Sequence, residues 1–92
     1  MAISNDIVQI FAAIQDEETM RRFLGEILTQ SERETIQLRW DLMKRLNEGE
    51  SQRHIAAELG ISLCKITRGS KILKNRDSVS SRILRSGSNQ IK

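Results

Sequence analysis

Residues 51–73, SQRHIAAELGISLCKITRGSKIL, constrain what this chain can fold into more than any other stretch. Two short amphipathic segments meet there at Gly60, and the spacing predicts helices over about 51–58 and 62–73. Ile55, Leu59, Ile61 and Ile66 fall on one side of such a pair, and Ala56 is small enough to let the second helix cross close to the first. Gly60 supplies the positive φ that a tight turn between helices requires. Ser62 is placed to cap the helix that follows. This is the residue logic of a helix-turn-helix, whose second helix lies in a DNA major groove. The residues alone therefore point to double-stranded DNA.

The distribution of charge points the same way. The formal net charge is +3, but residues 1–48 carry six Lys/Arg against nine Asp/Glu, a balance of −3. Residues 49–92 carry nine Lys/Arg against three acids, a balance of +6. Positive charge concentrated around Lys65, Arg68, Lys71 and Lys74 is what phosphate binding requires, because each neutralised phosphate releases counterions. The plainer alternative is a solvated basic tail, which the coincidence of charge and motif disfavours.

The rest of the chain reads as helix. Among 92 residues there is no proline and only 3% are aromatic, so the expected class is all-α, a single domain of about six helices. Ile3, Ile7, Ile10, Phe11 and Ile14 form one helical face. Asp16, Glu17 and Glu18 look like a cap and acidic first turn for a second helix with Met20, Phe23, Leu24, Ile27 and Leu28 on its face. Thr29-Gln-Ser-Glu32 has the capping-box form and opens a third, longest helix that reaches about Asn47 and stops at Gly49. Its apolar residues Ile36, Leu38, Trp40, Leu42, Met43 and Leu46 spread over more than one face, which suggests a central position. Asp77 is placed to cap a short last helix with Val79, Ile83 and Leu84. The polar end, 86–92, is expected to be disordered.

The first two helices offer apolar faces that so short a chain cannot hide well, and such stripes mark association surfaces. Residues 1–48 are thus expected to build a homodimer that presents two helix-turn-helix units to a pseudo-palindromic site, with half-sites about 34 Å apart. No apolar run approaches a membrane span. The N-terminus lacks a basic flank and a small-residue cleavage site, so no signal peptide is expected. The lone Cys64 excludes an internal disulfide and fits a reducing cytoplasm.

Leu28-Thr29, Glu32-Arg33-Glu34, Arg39, Gly49-Glu50, Ser51-Gln52-Arg53, Glu58-Leu59-Gly60 and above all Ile66-Thr67-Arg68-Gly69-Ser70 resemble the tryptophan repressor family over about residues 20–74. The resemblance implies an intertwined homodimer with L-tryptophan as corepressor, seated behind the recognition helix. By position, Arg39 and Arg68 flank the indole ring, Arg68 meets the ligand carboxylate with Thr29 nearby, and Gly69 leaves room for the ring. Glu26 and Leu28 of the partner subunit offer backbone carbonyls to the ammonium group. The physics suits these roles: a guanidinium stacks on indole with about 0.5–2 kcal/mol of cation–π attraction, and arginine pairs a carboxylate bidentately. Apart from the resemblance, Arg39 and Arg68 read equally as surface or phosphate-contacting arginines.

The chain departs from the family pattern at several positions. Ile72 stands in place of a small polar residue near the ligand ammonium group, Lys65 in place of a threonine, Ala56 of a lysine and Cys64 of an alanine. The operator is accordingly expected to differ from the family's, gripped through Lys65 and Lys71. Ser62, Leu63, Cys64, Lys65 and Thr67 occupy the first turns of the recognition helix, nearest the base edges. Gln52 and Arg53 open the preceding helix, whose N-terminal amides favour phosphate, and Lys74 anchors the far end. Lys65 is suited either to guanine O6/N7 or to simple charge pairing.

Other chemistries find little support. A lone His54 and one cysteine are poor metal ligands, and no metal site is expected. Cys64 is either a redox-active thiol beside cations or, more simply, a small side chain at the groove surface. There is no phosphate loop, nucleophile elbow or convincing carboxylate pair, so no enzyme is expected. Three aromatic residues leave no stacking platform for RNA. The remaining rivals are a regulator on the same scaffold with no ligand or another effector, and a DNA-targeting module of a larger enzyme such as a recombinase.

Overall fold

The computed structural model describes residues 2–86. Its elements are α1 (Asn5–Ala13), α2 (Glu17–Ile27), α3 (Gln30–Asn47), α4 (Gln52–Leu59), α5 (Leu63–Lys74) and α6 (Val79–Arg85), with no strand among the described residues. The all-helical expectation is met. Of the tail expected at 86–92, all but Ser86 lies outside the described residues.

Local chemistry sets the helix ends. The Asp16 carboxylate accepts from the Thr19 amide at 2.8 Å, and the Ser51 hydroxyl from the His54 amide at 3.1 Å. Thr29 and Glu32 form the reciprocal box: Thr29 Oγ1 accepts from Glu32 N at 3.1 Å, and Glu32 Oε1 from Thr29 N at 2.8 Å. Helix α3 stops at Gly49, with φ +93°, where Glu50 N donates to Arg45 O and Gly49 N to Leu46 O. That pair of bonds is the Schellman arrangement, which only a positive φ closes. Gly60 ends α4 at φ +65°. Ser62 is the N-cap of α5 by position, without a side-chain capping bond.

Two local expectations are corrected. The cap of α6 is Ser78, whose hydroxyl accepts from Ser81 N at 3.0 Å; Asp77 lies in the preceding turn, its amide donating to Asn75 Oδ1. Ile3 precedes α1, and Ile14 is its C-cap, so the first helix is shorter than its apolar periodicity.

The chain divides into two compact units, Met1–Glu34 and Thr35–Lys92, with α3 running through the division. In the first, Phe11 of α1 meets Phe23 of α2 edge to face, ring centroids 5.3 Å apart. No residue of α1 or α2 is buried, and Ile3 and Val8 are 75% and 51% exposed. Arg33 Nη1 closes the end of α2 by donating to the carbonyls of Leu28 at 2.7 Å and Gly25 at 3.3 Å. These are orphan acceptors that a helix C-terminus leaves open.

The second unit holds the core. Leu42 and Met43 of α3, Ile55 of α4, Ile66 of α5 and Leu84 of α6 form one buried cluster, with Trp40, Leu46, Ala56, Leu59, Ile61, Ile72 and Leu73 packed against it. Helix α5 lies between α4 and α6 and touches both. The central role expected of α3 holds for its second half; Ile36 in the first half is 52% exposed.

The two kinds of glycine predict opposite responses. Gly60→Ala places a Cβ in the left-handed region and should destabilise by about 1–2 kcal/mol. Gly25 lies inside α2 with nothing within 4 Å of its would-be Cβ, so Gly25→Ala should stabilise by about 0.5–1 kcal/mol. Urea unfolding at fixed protein concentration measures both.

Candidate ligand pocket and nucleic-acid interface

Helix α5 turns two different faces outward from the core. Lys65, Arg68, Gly69 and Ile72 follow the i, i+3, i+4, i+7 pattern of a single helical stripe. Together with Arg39, Leu42 and Met43 of α3 they line a pocket of about 90 Å³. Leu42, Met43, Gly69 and Ile72 make it apolar, and three cations, Arg39, Lys65 and Arg68, stand around it. No carboxylate lines it. None of the three cations makes an ion pair or side-chain hydrogen bond among the described residues.

Gly69 explains why α5 approaches so closely. A Cβ there would lie 2.8 Å from Leu42 Cδ1 and 3.5 Å from Met43 Cγ. A side chain there would push the tip of Leu42 aside, so glycine lets α5 sit against α3 without that shift.

Cys64, Thr67, Lys71 and Lys74 form the other stripe, at i, i+3, i+7 and i+10, and all four are exposed. Leu63, 49% exposed, continues it at the N-terminus. The Thr67 hydroxyl donates to Leu63 O at 2.9 Å. Ser62 is exposed before the first turn, and Gln52 and Arg53 form the first turn of α4. The structure thus separates Lys65 from the residues it was grouped with, placing it on the pocket side of α5. The free thiol of Cys64 is exposed.

The remaining expected ligand residues sit in the first unit. Glu26 is exposed on α2. The Leu28 carbonyl already accepts from Arg33, and the Thr29 hydroxyl serves the cap of α3.

Sequence reasoning missed Arg45. Its Nε and Nη2 bind Glu50 at 2.8–3.1 Å, and Nη2 also pairs with Glu58. The last turn of α3 is thereby tied to α4. His54 stands between the same carboxylates, 3.7 Å from Glu50 and 3.6 Å from Glu58. The Glu50, His54, Glu58 spacing of four residues was a readable signal for that row; the reach of Arg45 across helices was not. Hydrogen bonding and charge from Arg45, with the charge of His54, hold the Glu58 carboxyl below its ordinary range, and both glutamates keep Arg45 protonated. The Thr19 amide does the same for Asp16.

Comparison with known proteins decides the family. The Trp repressor protein family model matches residues 4–88. The chain belongs to the Trp repressor family. A Trp operon repressor homolog of Chlamydia trachomatis serovar D is 38% identical over 65 residues, 70% of this chain and 69% of the relative. The Vibrio campbellii homolog is 35% identical over 71 residues, 76% of this chain and 71% of the relative. The Xylella fastidiosa M23 homolog is 35% identical over 72 residues, covering 77% and 78%. No solved structure gives a significant match. The Trp repressor family is one of DNA-binding regulators, and its name carries tryptophan as the associated small molecule. Among the described residues no cluster could hold a metal ion, and no helix is long and apolar enough to cross a membrane.

The carboxylates set a pH dependence. Glu58 and Asp16 have lowered native pKa values, so their stabilisation is complete above the unfolded carboxylate range, about pH 4, and is lost as pH falls through the native values. Thermal melts from pH 7 to 3 should show stability falling with acid, and Glu58→Gln should flatten the curve. An unchanged slope in that variant would remove the Arg45–Glu58 pair as a contributor.

Proposed function

We propose that this protein is a transcriptional repressor that binds operator DNA as an intertwined homodimer and is gated by L-tryptophan, acting on tryptophan biosynthesis or transport genes in the cytoplasm. The α4–α5 pair is its helix-turn-helix, with α5 as the recognition helix. The observation that carries this reading is the two-sided α5. Arg68, Gly69 and Ile72 meet Arg39 of α3 at one pocket, while Cys64, Thr67, Lys71 and Lys74 stay exposed on another stripe.

A ligand seated against α5 from the pocket side acts on the angle at which the exposed stripe meets DNA. Arg39 and Arg68 grip the indole and carboxylate, and the apolar floor removes the ring from water. Gln52 and Arg53 meet phosphates at the start of α4, where amides point outward. Ser62, Leu63, Cys64 and Thr67 face base edges of a pseudo-palindromic site, and Lys71 and Lys74 anchor the backbone. Glu26 and Leu28 of the partner subunit, with Thr29, belong to the ammonium end of the ligand on this reading. The exposed apolar faces of α1 and α2 support dimerisation, because their burial against a second copy removes apolar surface from water.

Ile72 supports a second reading, the same scaffold with another effector or none, since its apolar side chain stands where the family carries a small polar group. Calorimetry with L-tryptophan separates the two. One saturable site per subunit, lost in Arg68→Ala, is expected, and operator affinity should rise some 5- to 150-fold with ligand, the usual range of such coupling. No heat at millimolar ligand would leave the ungated regulator. Sedimentation at micromolar concentration should give twice the 10.5 kDa chain mass; a monomer would remove the dimeric arrangement.

A further inference from the structure

The end of α5 assigned to base edges is short of hydrogen-bonding chemistry. Ser62, Leu63, Cys64 and Thr67 are the exposed side chains there. Hydrogen-bonded discrimination among base pairs relies on arginine or lysine for guanine, asparagine or glutamine for adenine, and aspartate or glutamate for cytosine. None of those residue types stands on this stripe before Lys71. Lys65 and Arg68, the cations of the first two turns, border the pocket with Arg39. The Thr67 hydroxyl spends its proton on Leu63 O at 2.9 Å, and serine and threonine hydroxyls distinguish little between bases. Cys64 is a weak donor that packs as a small apolar group.

What this end does offer is Leu63. It is the first residue of α5 and is 49% exposed, whereas Ile66, one turn on, is wholly buried. A single exposed leucine is ordinary on a protein surface. This one stands in the first turn of the recognition helix, the part that comes closest to base edges. Of the groups that base pairs display in the major groove, the apolar one is the C5-methyl of thymine. Contact between that methyl and a leucine removes apolar surface of both from water.

We propose that Leu63 is a specificity-determining residue that reads a thymine C5-methyl group in each half-site, so that this end of α5 selects its base pair by apolar contact. The assignment deepens the reading of α5 as the recognition helix and rests on it. Because the methyl belongs to one strand of the pair, such a contact distinguishes T·A from A·T as well as from either G·C orientation.

Selection of duplexes from a randomised pool by the full chain, with and without L-tryptophan, supplies the site. Each thymine of the enriched duplex is then replaced singly by deoxyuridine, which differs in the missing methyl alone. One replacement per half-site should weaken binding about fourfold, the worth of one buried methyl-sized group. Both together should cost about fifteenfold, since separated positions add. In Leu63→Ala the same replacements should cost less than about twofold, because the partner of the methyl is gone. Leu63→Asn should move the selected base at that position from thymine to adenine. An unchanged melting temperature verifies the fold of each variant. An enriched duplex in which every thymine tolerates uracil within about twofold overturns the proposal and leaves the helix-turn-helix intact. So does a uracil penalty that persists undiminished in Leu63→Ala, which assigns the methyl to another side chain. Enrichment of no duplex in either condition would bring down the recognition-helix reading as well.

Discussion

Helix α5 packs between α4 and α6 and, where Gly69 lacks a Cβ, also against Leu42 of α3. Leu42 comes so near Gly69 that any side chain there must displace it, and Ile66, three residues earlier, is wholly buried with Ile55 of α4. Helix α5 is thus clamped from two directions, by α3 at Gly69 and by α4 at Ile66. With one side committed to the core and another to the pocket, only the stripe from Cys64 to Lys74 remains to face outward. Leu42 belongs both to the core and to the pocket, so the floor of the pocket is also part of the surface on which α5 rests.

The two units meet different energetic conditions. In the second, five apolar side chains from four helices are removed from water, and Arg45 fastens α3 to α4 with a bidentate pair to Glu50 and a further bond to Glu58. In the first, Phe11 and Phe23 meet, yet α1 and α2 bury nothing fully. Helices of 9 and 11 residues are too short to persist on intrinsic propensity, since isolated helices below about 12–15 residues are marginal in water. Their stability must come from packing, and the packing available within one chain is thin. In the proposed homodimer a second copy of the same surface supplies what is missing, and folding of this unit and association become one equilibrium, governed by protein concentration.

The helices were legible in the sequence because their signals are local. Asp16, the Thr29–Glu32 box, Gly49, Ser51 and Gly60 each act within about a turn, and each end is where its cap stands. The last cap was misassigned by one residue, since Asp77 and Ser78 are both good caps and only the turn geometry chooses between them. The core around Ile55 and Ile66 followed from periodicity. The reach of Arg45 to Glu58, thirteen residues on, did not, because nothing in a single sequence states which helices cross. Lys65, expected at the groove from its place in the first turn of α5, also shares a stripe with Arg68, Gly69 and Ile72 and lines the pocket, which the sequence did not announce. Position along a helix says how near a residue is to DNA; the angle around the helix says whether it faces there.

That angular division also bears on how ligand and DNA can communicate. Lys65 and Arg68 on the pocket side are interleaved along α5 with Cys64 and Thr67 on the outer stripe, so no residue needs to touch both partners. In the proposed gated repressor, a ligand that neutralises the pocket cations would lower the local positive potential, which by itself weakens attraction to phosphate. Gating in the opposite direction therefore cannot come from charge and must come from geometry, through the seating of α5 on Leu42, Met43 and the ligand. The effect requires the ligand to bind the DNA-competent seating better than the other, and linkage then obliges DNA to tighten the ligand by the same factor. A pocket floor built of Leu42, Met43 and Ile72, flexible side chains under a glycine, is the kind of surface on which a rigid planar ligand makes that difference: it holds the side chains in one arrangement and, with them, the helix above.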